Sequence, residues 1–237
     1  MKKILLLHGW NYRNYSHLID KSAWHNREDF ISKLKDNYEI YYPDMPGFGT
    51  EPVPNNSDGW NLDDYALYVK NYIESNKLDI EYIIGYSFGG AVAIDYKEKF
   101  DNDAKLILIS PAIIRNASKS KNFAKTPEYL SSIRDYLRDL YLIYKVKTPE
   151  MVNGNKFLRN TYQSIVREEL IDIVEKFSPE DFIIIYGSLD NMVNPLKVYS
   201  IFNDNVRMIE GGGHDIANSH SDEIISLIEE FINNKVL

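Results

Sequence analysis

Short apolar segments alternate with longer amphipathic segments along most of the chain. The apolar segments predict strands at Lys3–Leu7, Glu39–Tyr42, Tyr82–Gly85, Leu106–Ile109, Phe182–Tyr186 and Val206–Ile209. Most of these segments are continuous apolar runs, which is typical of strands that are covered on both faces in a parallel sheet.

Helices are predicted between these strands because apolar residues recur there at every third or fourth position. The predicted helices span roughly residues 25–36, 61–75, 88–99, 195–202 and 221–233. Such alternation of strand and helix predicts an α/β protein with a mostly parallel, doubly wound sheet, here of about six strands.

The pattern changes over residues 112–178, where the periodicity is helical and no strand-like run occurs. Two triplets in this region, Thr126-Pro127-Glu128 and Thr148-Pro149-Glu150, each resemble a helix cap followed by a proline in the first turn. We therefore expect a helical cap at 112–178, inserted into an α/β core formed by residues 1–111 and 179–237.

Composition and charge narrow the class of protein. The 237-residue chain has a net charge of −8, which disfavours nucleic acid or an anionic membrane as its partner. It contains no cysteine, so disulfides, thiolate metal sites and a cysteine nucleophile are excluded.

The apolar run Ile4–Leu7 is shorter than the roughly 7–15 residues of a signal-peptide core, and no stretch approaches the ~20 residues of a membrane span. We expect a cytoplasmic protein without membrane insertion.

Ser87 stands at the point where a predicted strand meets a predicted helix, in the sequence Gly85-Tyr86-Ser87-Phe88-Gly89. A very tight turn at this point would crowd the neighbouring backbone, and glycines two positions before and after the serine remove the colliding side chains. Such a turn presents the serine hydroxyl at the carboxyl end of the sheet, beside a helix N-terminus that favours negative charge. Ser87 is therefore the candidate nucleophile.

A serine hydroxyl needs a neighbouring base and a carboxylate that orients this base. Of the five histidines, His214 follows a strand and a glycine-rich turn, which places it on a loop at the same end of the sheet as Ser87. Asp190 follows the preceding strand on another such loop, whereas Asp215 is adjacent to the histidine and is expected to point elsewhere. The order Ser87, Asp190, His214 predicts a catalytic triad.

Several further segments support one family resemblance. They are His8-Gly9-Trp10 after the first strand, Pro43-Asp44-Met45-Pro46-Gly47-Phe48-Gly49, the Ser87 segment, Tyr186-Gly187-Ser188-Leu189-Asp190 and Gly212-Gly213-His214. With these motifs in this order, the chain resembles the α/β-hydrolase superfamily. The first strand corresponds to the third strand of the full eight-stranded sheet, and the polar loop from Trp10 to Trp24 is longer than is common in the family.

The resemblance implies specific roles for these residues. The backbone amides of Trp10 and Phe88 would form the oxyanion hole, and His8 would be a structural residue of its turn. A serine at position 87, where dehalogenases and epoxide hydrolases carry aspartate, implies an acyl-enzyme mechanism that needs no metal and no organic cofactor.

Our leading hypothesis is a serine hydrolase that cleaves a small to medium acyl ester, with a small-molecule acyl substrate as its partner. A carbon–carbon bond hydrolase or an acyltransferase could use the same triad, and a ligand-binding protein could retain the fold without catalysis. The oligomeric state is left open by the sequence.

Basic residues of the predicted cap have two interpretations. In the simpler interpretation these side chains belong to a solvated loop, and in the alternative they bind a carboxylate or phosphate of the substrate. The residues are Arg115, Lys119, Lys121 and Lys125. Aromatic residues of the same region are expected mainly to pack helices, with one or two lining an acyl pocket; they are Tyr129, Tyr136, Tyr141, Tyr144, Phe157 and Tyr162.

Overall fold

The computed structural model describes residues 1–10, 21–55, 58–100, 103–114, 156–166 and 168–233. Much of the predicted cap lies outside these ranges, as do the loop residues 11–20. The part outside includes the basic stretch from Arg115 to Lys125, four of the cap tyrosines and both Thr-Pro-Glu triplets. The division into a core and a cap therefore stays a prediction.

Within the described residues, six parallel strands form a single sheet, as the sequence predicts. They are β1 (Lys3–Leu7), β2 (Glu39–Tyr41), β3 (Tyr82–Tyr86), β4 (Lys105–Ile109), β5 (Phe182–Gly187) and β6 (Val206–Ile209). Their order across the sheet is β2-β1-β3-β4-β5-β6. The chain moves outward from β1 to β2 and then returns to the other side of β1, which is the reversal of strand order at which doubly wound sheets place their ligand sites.

Helices cover both faces of this sheet. In the described residues they are α1 (Glu28–Asn37), α2 (Leu62–Ser75), α3 (Phe88–Phe100), α4 (Lys156–Ile165), α5 (Ile171–Val174), α6 (Pro195–Phe202), α7 (Ile216–Ser219) and α8 (Ser221–Ile232). Two single-turn 3₁₀ helices, Pro179–Asp181 and Asn203–Asn205, precede β5 and β6. The predicted helix positions agree with these bounds within a few residues.

The strands separate two apolar cores, because successive side chains of a strand point to opposite faces of the sheet. Leu5 and Leu7 of β1 pack with helices α2 and α3 on one face. Ile4 and Leu6 of the same strand pack with α1 and α8 on the other. All four side chains are fully buried, and burying a side chain of this size contributes about 1.5–3 kcal/mol. Both faces of β1 are therefore buried, which explains why its sequence is a continuous apolar run.

Helix α4 belongs to the region predicted as a cap, and it is anchored to the core near the carboxyl ends of the strands. The hydroxyl of Thr161 accepts a hydrogen bond of 2.7 Å from the amide of Trp60. The rings of Trp60 and Phe157 lie 6.0 Å apart, and those of Trp10 and Tyr162 lie 5.3 Å apart. Among the cap aromatics, Phe157 is therefore a buried packing residue, while Tyr162 is half-buried beside Trp10.

Candidate active site

Ser87 lies on a tight turn between β3 and α3, as the sequence predicts. Its φ is +50°, a left-handed conformation that is uncommon for residues other than glycine. The surroundings leave no room for larger neighbours, since a Cβ on Gly89 would lie 2.1 Å from the carbonyl oxygen of Leu7 and a Cβ on Gly85 would lie 2.6 Å from Gly90 Cα. The two glycines therefore allow the close approach of β1, β3 and α3 that exposes the serine hydroxyl.

The structure brings Ser87, His214 and Asp190 together. Ser87 Oγ and His214 Nε2 are 2.9 Å apart, and His214 Nδ1 and Asp190 Oδ2 are 2.7 Å apart. The carboxylate of Asp190 is fully buried, whereas 16% of the His214 side chain remains exposed. Because Asp190 Oδ2 can only accept, it fixes the proton on Nδ1 and leaves Nε2 free to accept the serine proton.

Asp190 is held in its ionised form by its surroundings. Burial alone would raise the pKa of this carboxyl, but the hydrogen bond from His214 and those from the amides of Met192 and Val193 outweigh it, so the pKa lies below its ordinary value. The two loops are also joined by the amide of Leu189, which donates to the carbonyl of Gly212 over 2.8 Å. The orienting carboxylate and the histidine loop thus form one hydrogen-bonded unit.

Of the predicted oxyanion donors, Phe88 directly follows Ser87, and Trp10 packs against Phe88. Phe88 is the first residue of α3, and a Cβ on Gly9 would lie 3.3 Å from Ser87 Cβ. The rings of Trp10 and Phe88 contact each other edge-on with centroids 5.4 Å apart, and both contact Phe48. The backbone segments that carry the two amides are therefore packed together by aromatic side chains.

His8 has a structural position at the end of β1. Its Nε2 accepts a hydrogen bond of 2.8 Å from the amide of Met45, and its Nδ1 donates to the carbonyl of Gly9 over 2.9 Å. Only the neutral ring satisfies both bonds, because protonation of Nε2 would place one N–H against another. Burial lowers the pKa of His8 to about 4.

This neutral histidine predicts a loss of stability in mild acid. Because the unfolded His8 takes up a proton near pH 6.5 and the folded one does so only near pH 4, its contribution is complete above pH 6.5 and is lost as the pH falls toward 4. Between pH 7 and pH 5 we expect His8 to lower the free energy of unfolding by about 2 kcal/mol. Urea denaturation should show this slope in the wild type and a flatter one in His8→Asn. The same slope in His8→Asn as in a His25→Asn control would contradict the assignment.

His25, His220 and Asp215 each have a partner other than the serine. His25 pairs with Glu28 at 2.8 Å, and His220 contacts the hydroxyl of Ser219 at 2.7 Å. Asp215 accepts from Arg27. His17 lies outside the described residues.

Sequence reasoning did not anticipate Arg27 or the side chain of Tyr86 as parts of this region. The guanidinium of Arg27 lies over the ring of Tyr86, 4.6 Å from its centroid, and the ring of Tyr86 lies 5.9 Å from that of His214. Arg27 and Asp215 are 188 positions apart in sequence, so no local motif links them. The only available signal was the position of Tyr86 next to the serine.

Two classes of feature are not observed in the described part of the chain. None of its helices combines the length and the apolar character needed to cross a bilayer. Within the same ranges, no group of three or more His, Cys, Asp or Glu side chains is arranged to hold a metal ion.

Comparison with known proteins agrees with this architecture. A pimeloyl-[acyl-carrier protein] methyl ester esterase of Photorhabdus laumondii is 23% identical over 260 residues, which covers 100% of this chain and 94% of the esterase. An esterase from Exiguobacterium antarcticum superposes with a TM-score of 0.64 at 16% identity, covering 98% of this chain and 92% of that one. A meta-cleavage product hydrolase from Pseudomonas fluorescens gives 0.62 at 19% identity, with coverage of 100% and 92%.

The sequence also matches the family described as the alpha/beta hydrolase family over residues 4–227. The match includes nearly all of β1, the Ser87 turn and the loops that carry Asp190 and His214. Since it spans nearly the whole chain, the protein belongs to the alpha/beta hydrolase family.

Proposed function

We propose that this protein is a serine hydrolase that cleaves a small to medium acyl ester through an acyl-enzyme on Ser87. The observation that carries the proposal is the continuous hydrogen-bonded series Ser87–His214–Asp190, in which the serine oxygen faces a ring nitrogen able to accept its proton. Membership of a hydrolase family and similarity to an ester-cleaving relative support the same reaction class.

In the first half of the reaction, Ser87 Oγ attacks the carbonyl carbon of the ester and its proton passes to His214 Nε2. The amides of Trp10 and Phe88 would donate to the resulting oxyanion, and one such donor typically contributes about 10²–10³ in rate. His214 then returns the proton to the leaving alkoxide as the carbon–oxygen bond breaks. The alcohol departs and an acyl-enzyme remains.

In the second half, His214 removes a proton from water, and the hydroxide attacks the acyl carbon. Collapse of the second tetrahedral intermediate releases the carboxylic acid and restores the proton to Ser87. Asp190 stays ionised throughout and stabilises the imidazolium that forms twice in the cycle. The proton transfers between Ser87 and His214 therefore occur between atoms that already lie within hydrogen-bond distance.

The aromatic surroundings of the serine favour an acyl group of apolar character. Trp10 and Tyr162 are both half-buried and contact each other edge-on beside the predicted oxyanion donors. Apolar walls of this kind bind a hydrocarbon chain because binding removes apolar surface from contact with water. This effect does not select one acyl chain length.

The proposal is tested with a panel of p-nitrophenyl esters from acetyl to decanoyl. We expect hydrolysis of at least the short and middle members, with a burst of p-nitrophenol equal to the enzyme concentration if deacylation is slower than acylation. Analysis of the second product separates the alternatives: a free acid indicates a hydrolase, and an acylated alcohol or amine indicates an acyltransferase. No turnover of any ester, together with binding of the same compounds, would favour a non-catalytic ligand-binding protein.

A further inference from the structure

The chain immediately before His214 is poor in anchoring side chains. It consists of Gly211, Gly212 and Gly213, of which Gly211 has a φ of +73°. A Cβ at Gly213 would meet no atom within 4 Å, so a side chain at this position would have nothing to pack against. The segment is held by backbone hydrogen bonds, in which Gly212 donates to the carbonyl of Ile209 and accepts from the amide of Leu189. Glycine also has more conformational freedom than other residues. The imidazole must nevertheless keep two directed hydrogen bonds, and the residue that follows it is held by side-chain contacts.

Asp215, directly after His214, is tied to the start of α1. Its Oδ1 accepts from Arg27 Nη2 at 2.8 Å and from Arg27 Nε at 3.2 Å. The Arg27 side chain is only 8% exposed, whereas that of Asp215 is 50% exposed. A buried guanidinium needs a compensating acceptor, because an unpaired charge in this position is costly. The ion pair therefore has a strong preference for one geometry.

Tyr86 connects the ion pair to the nucleophile turn. Its buried ring lies beneath the guanidinium of Arg27, and its hydroxyl lies 3.2 Å from Asp215 Oδ1 and 3.4 Å from the backbone carbonyl of His214. The single hydroxyl proton can serve either acceptor. Tyr86 directly precedes Ser87 in the chain, and its hydroxyl lies beside the backbone carbonyl of His214. Arg27, Tyr86 and Asp215 are therefore connected to the backbone of both partners in the Ser87–His214 hydrogen bond.

We propose that Arg27, Tyr86 and Asp215 form a clamp that positions His214 between Ser87 and Asp190. The inference rests on the proposed function and adds positioning residues to it, none of which touches the reacting atoms. The clamp adds side-chain contacts to the backbone after His214, whereas the glycines before it supply no side chains of their own. Without it, the ring would sample orientations in which one of its two hydrogen bonds is lost.

The two ends of the ion pair offer complementary variants. Asp215→Asn retains the size of the half-exposed side chain and is expected to fold, while Arg27→Gln removes the buried charge. Each should lower kcat about 10- to 100-fold with little change in KM, because displacement of a catalytic group by about 1 Å can cost up to 10²-fold. Arg27→Lys should give an intermediate loss, since lysine keeps the charge without the two-pronged guanidinium.

Non-additivity distinguishes a clamp from two independent effects. The double variant Arg27→Gln/Asp215→Asn should be no slower than the slower single variant, because both substitutions remove the same interaction. Lys33→Gln is the matched control, since Lys33 forms ion pairs with Asp29 of its own helix and with Asp222, and the second pair joins α1 to α8. We expect this control to retain wild-type kcat.

A measurement that does not depend on turnover completes the test. The Nδ1 proton of His214, held by Asp190, should give a downfield NMR signal in the wild type and in Lys33→Gln. This signal should be broadened or lost in Arg27→Gln and Asp215→Asn. If the wild type hydrolyses no ester, the proposed function fails while the NMR comparison still decides the clamp. Retention of the signal and of any wild-type kcat in both clamp variants, or equal losses in Lys33→Gln, would overturn the inference.

Discussion

Ser87→Ala should lower the rate of ester hydrolysis by at least about 10⁴-fold while leaving the fold intact. The substitution removes the only atom that attacks the carbonyl in the proposed cycle, and loss of a triad nucleophile generally costs between about 10⁴ and 10⁶ in kcat. Alanine fits the space that the serine occupies at its turn, so the melting temperature should change by only a few degrees. Steady-state kinetics and thermal denaturation of both proteins provide the comparison.

Binding of substrate should survive this substitution. The apolar walls and the amides near position 87 are unchanged in Ser87→Ala, so the variant should still bind a non-hydrolysable ester analogue with near wild-type affinity. If the variant retained most of the esterase activity, another residue would be the nucleophile. The proposed function would then have to be assigned to a different site.

Asp190→Asn should lower kcat by about 10³–10⁴-fold, the second largest effect that we expect. An asparagine amide in this position donates to Nδ1, which moves the ring proton to Nε2 and points it at Ser87 Oγ. The histidine can then no longer accept the serine proton. Because asparagine has the shape of aspartate and can still accept from the amide of Met192, the loop should keep its conformation.

The control for this variant is Asp204→Asn, a carboxylate on an exposed turn whose side chain contacts Asn203. It removes the same charge from the protein without touching the histidine, so its kcat should equal that of the wild type. An Asp190→Asn enzyme with kcat within tenfold of the control would show that another group orients His214. Asp215 would be the first residue to examine in that case.

The family and the parallel sheet of about six strands followed from local sequence features. The tight turn at Ser87 needs glycines at fixed positions because the backbones of β1 and α3 approach it closely, and this requirement is visible in five consecutive residues. The buried strands were similarly clear, since side chains on both faces of a parallel sheet must be apolar. Features that depend on neighbouring residues could therefore be predicted from the sequence alone.

Other features depended on contacts between distant segments. Helix α1 begins at Glu28 and not near residue 25, because turn hydrogen bonds from His25 to Ser22 and from Arg27 to Trp24 precede it. The short helix Ile216–Ser219 has too few residues for a helical period to be recognised. The pairing of Arg27 with Asp215 depends on the packing of α1 beside α7, so it cannot be predicted from either segment of the sequence alone.

The central claim is that Ser87 is a nucleophile activated by His214, and intact mass after treatment with a fluorophosphonate tests it most directly. The account predicts one adduct per wild-type chain, located on Ser87 by peptide mapping, and labelling that is slowed at least about 100-fold in His214→Ala. An unlabelled wild-type protein, an adduct on another residue, or equally fast labelling of His214→Ala would contradict it.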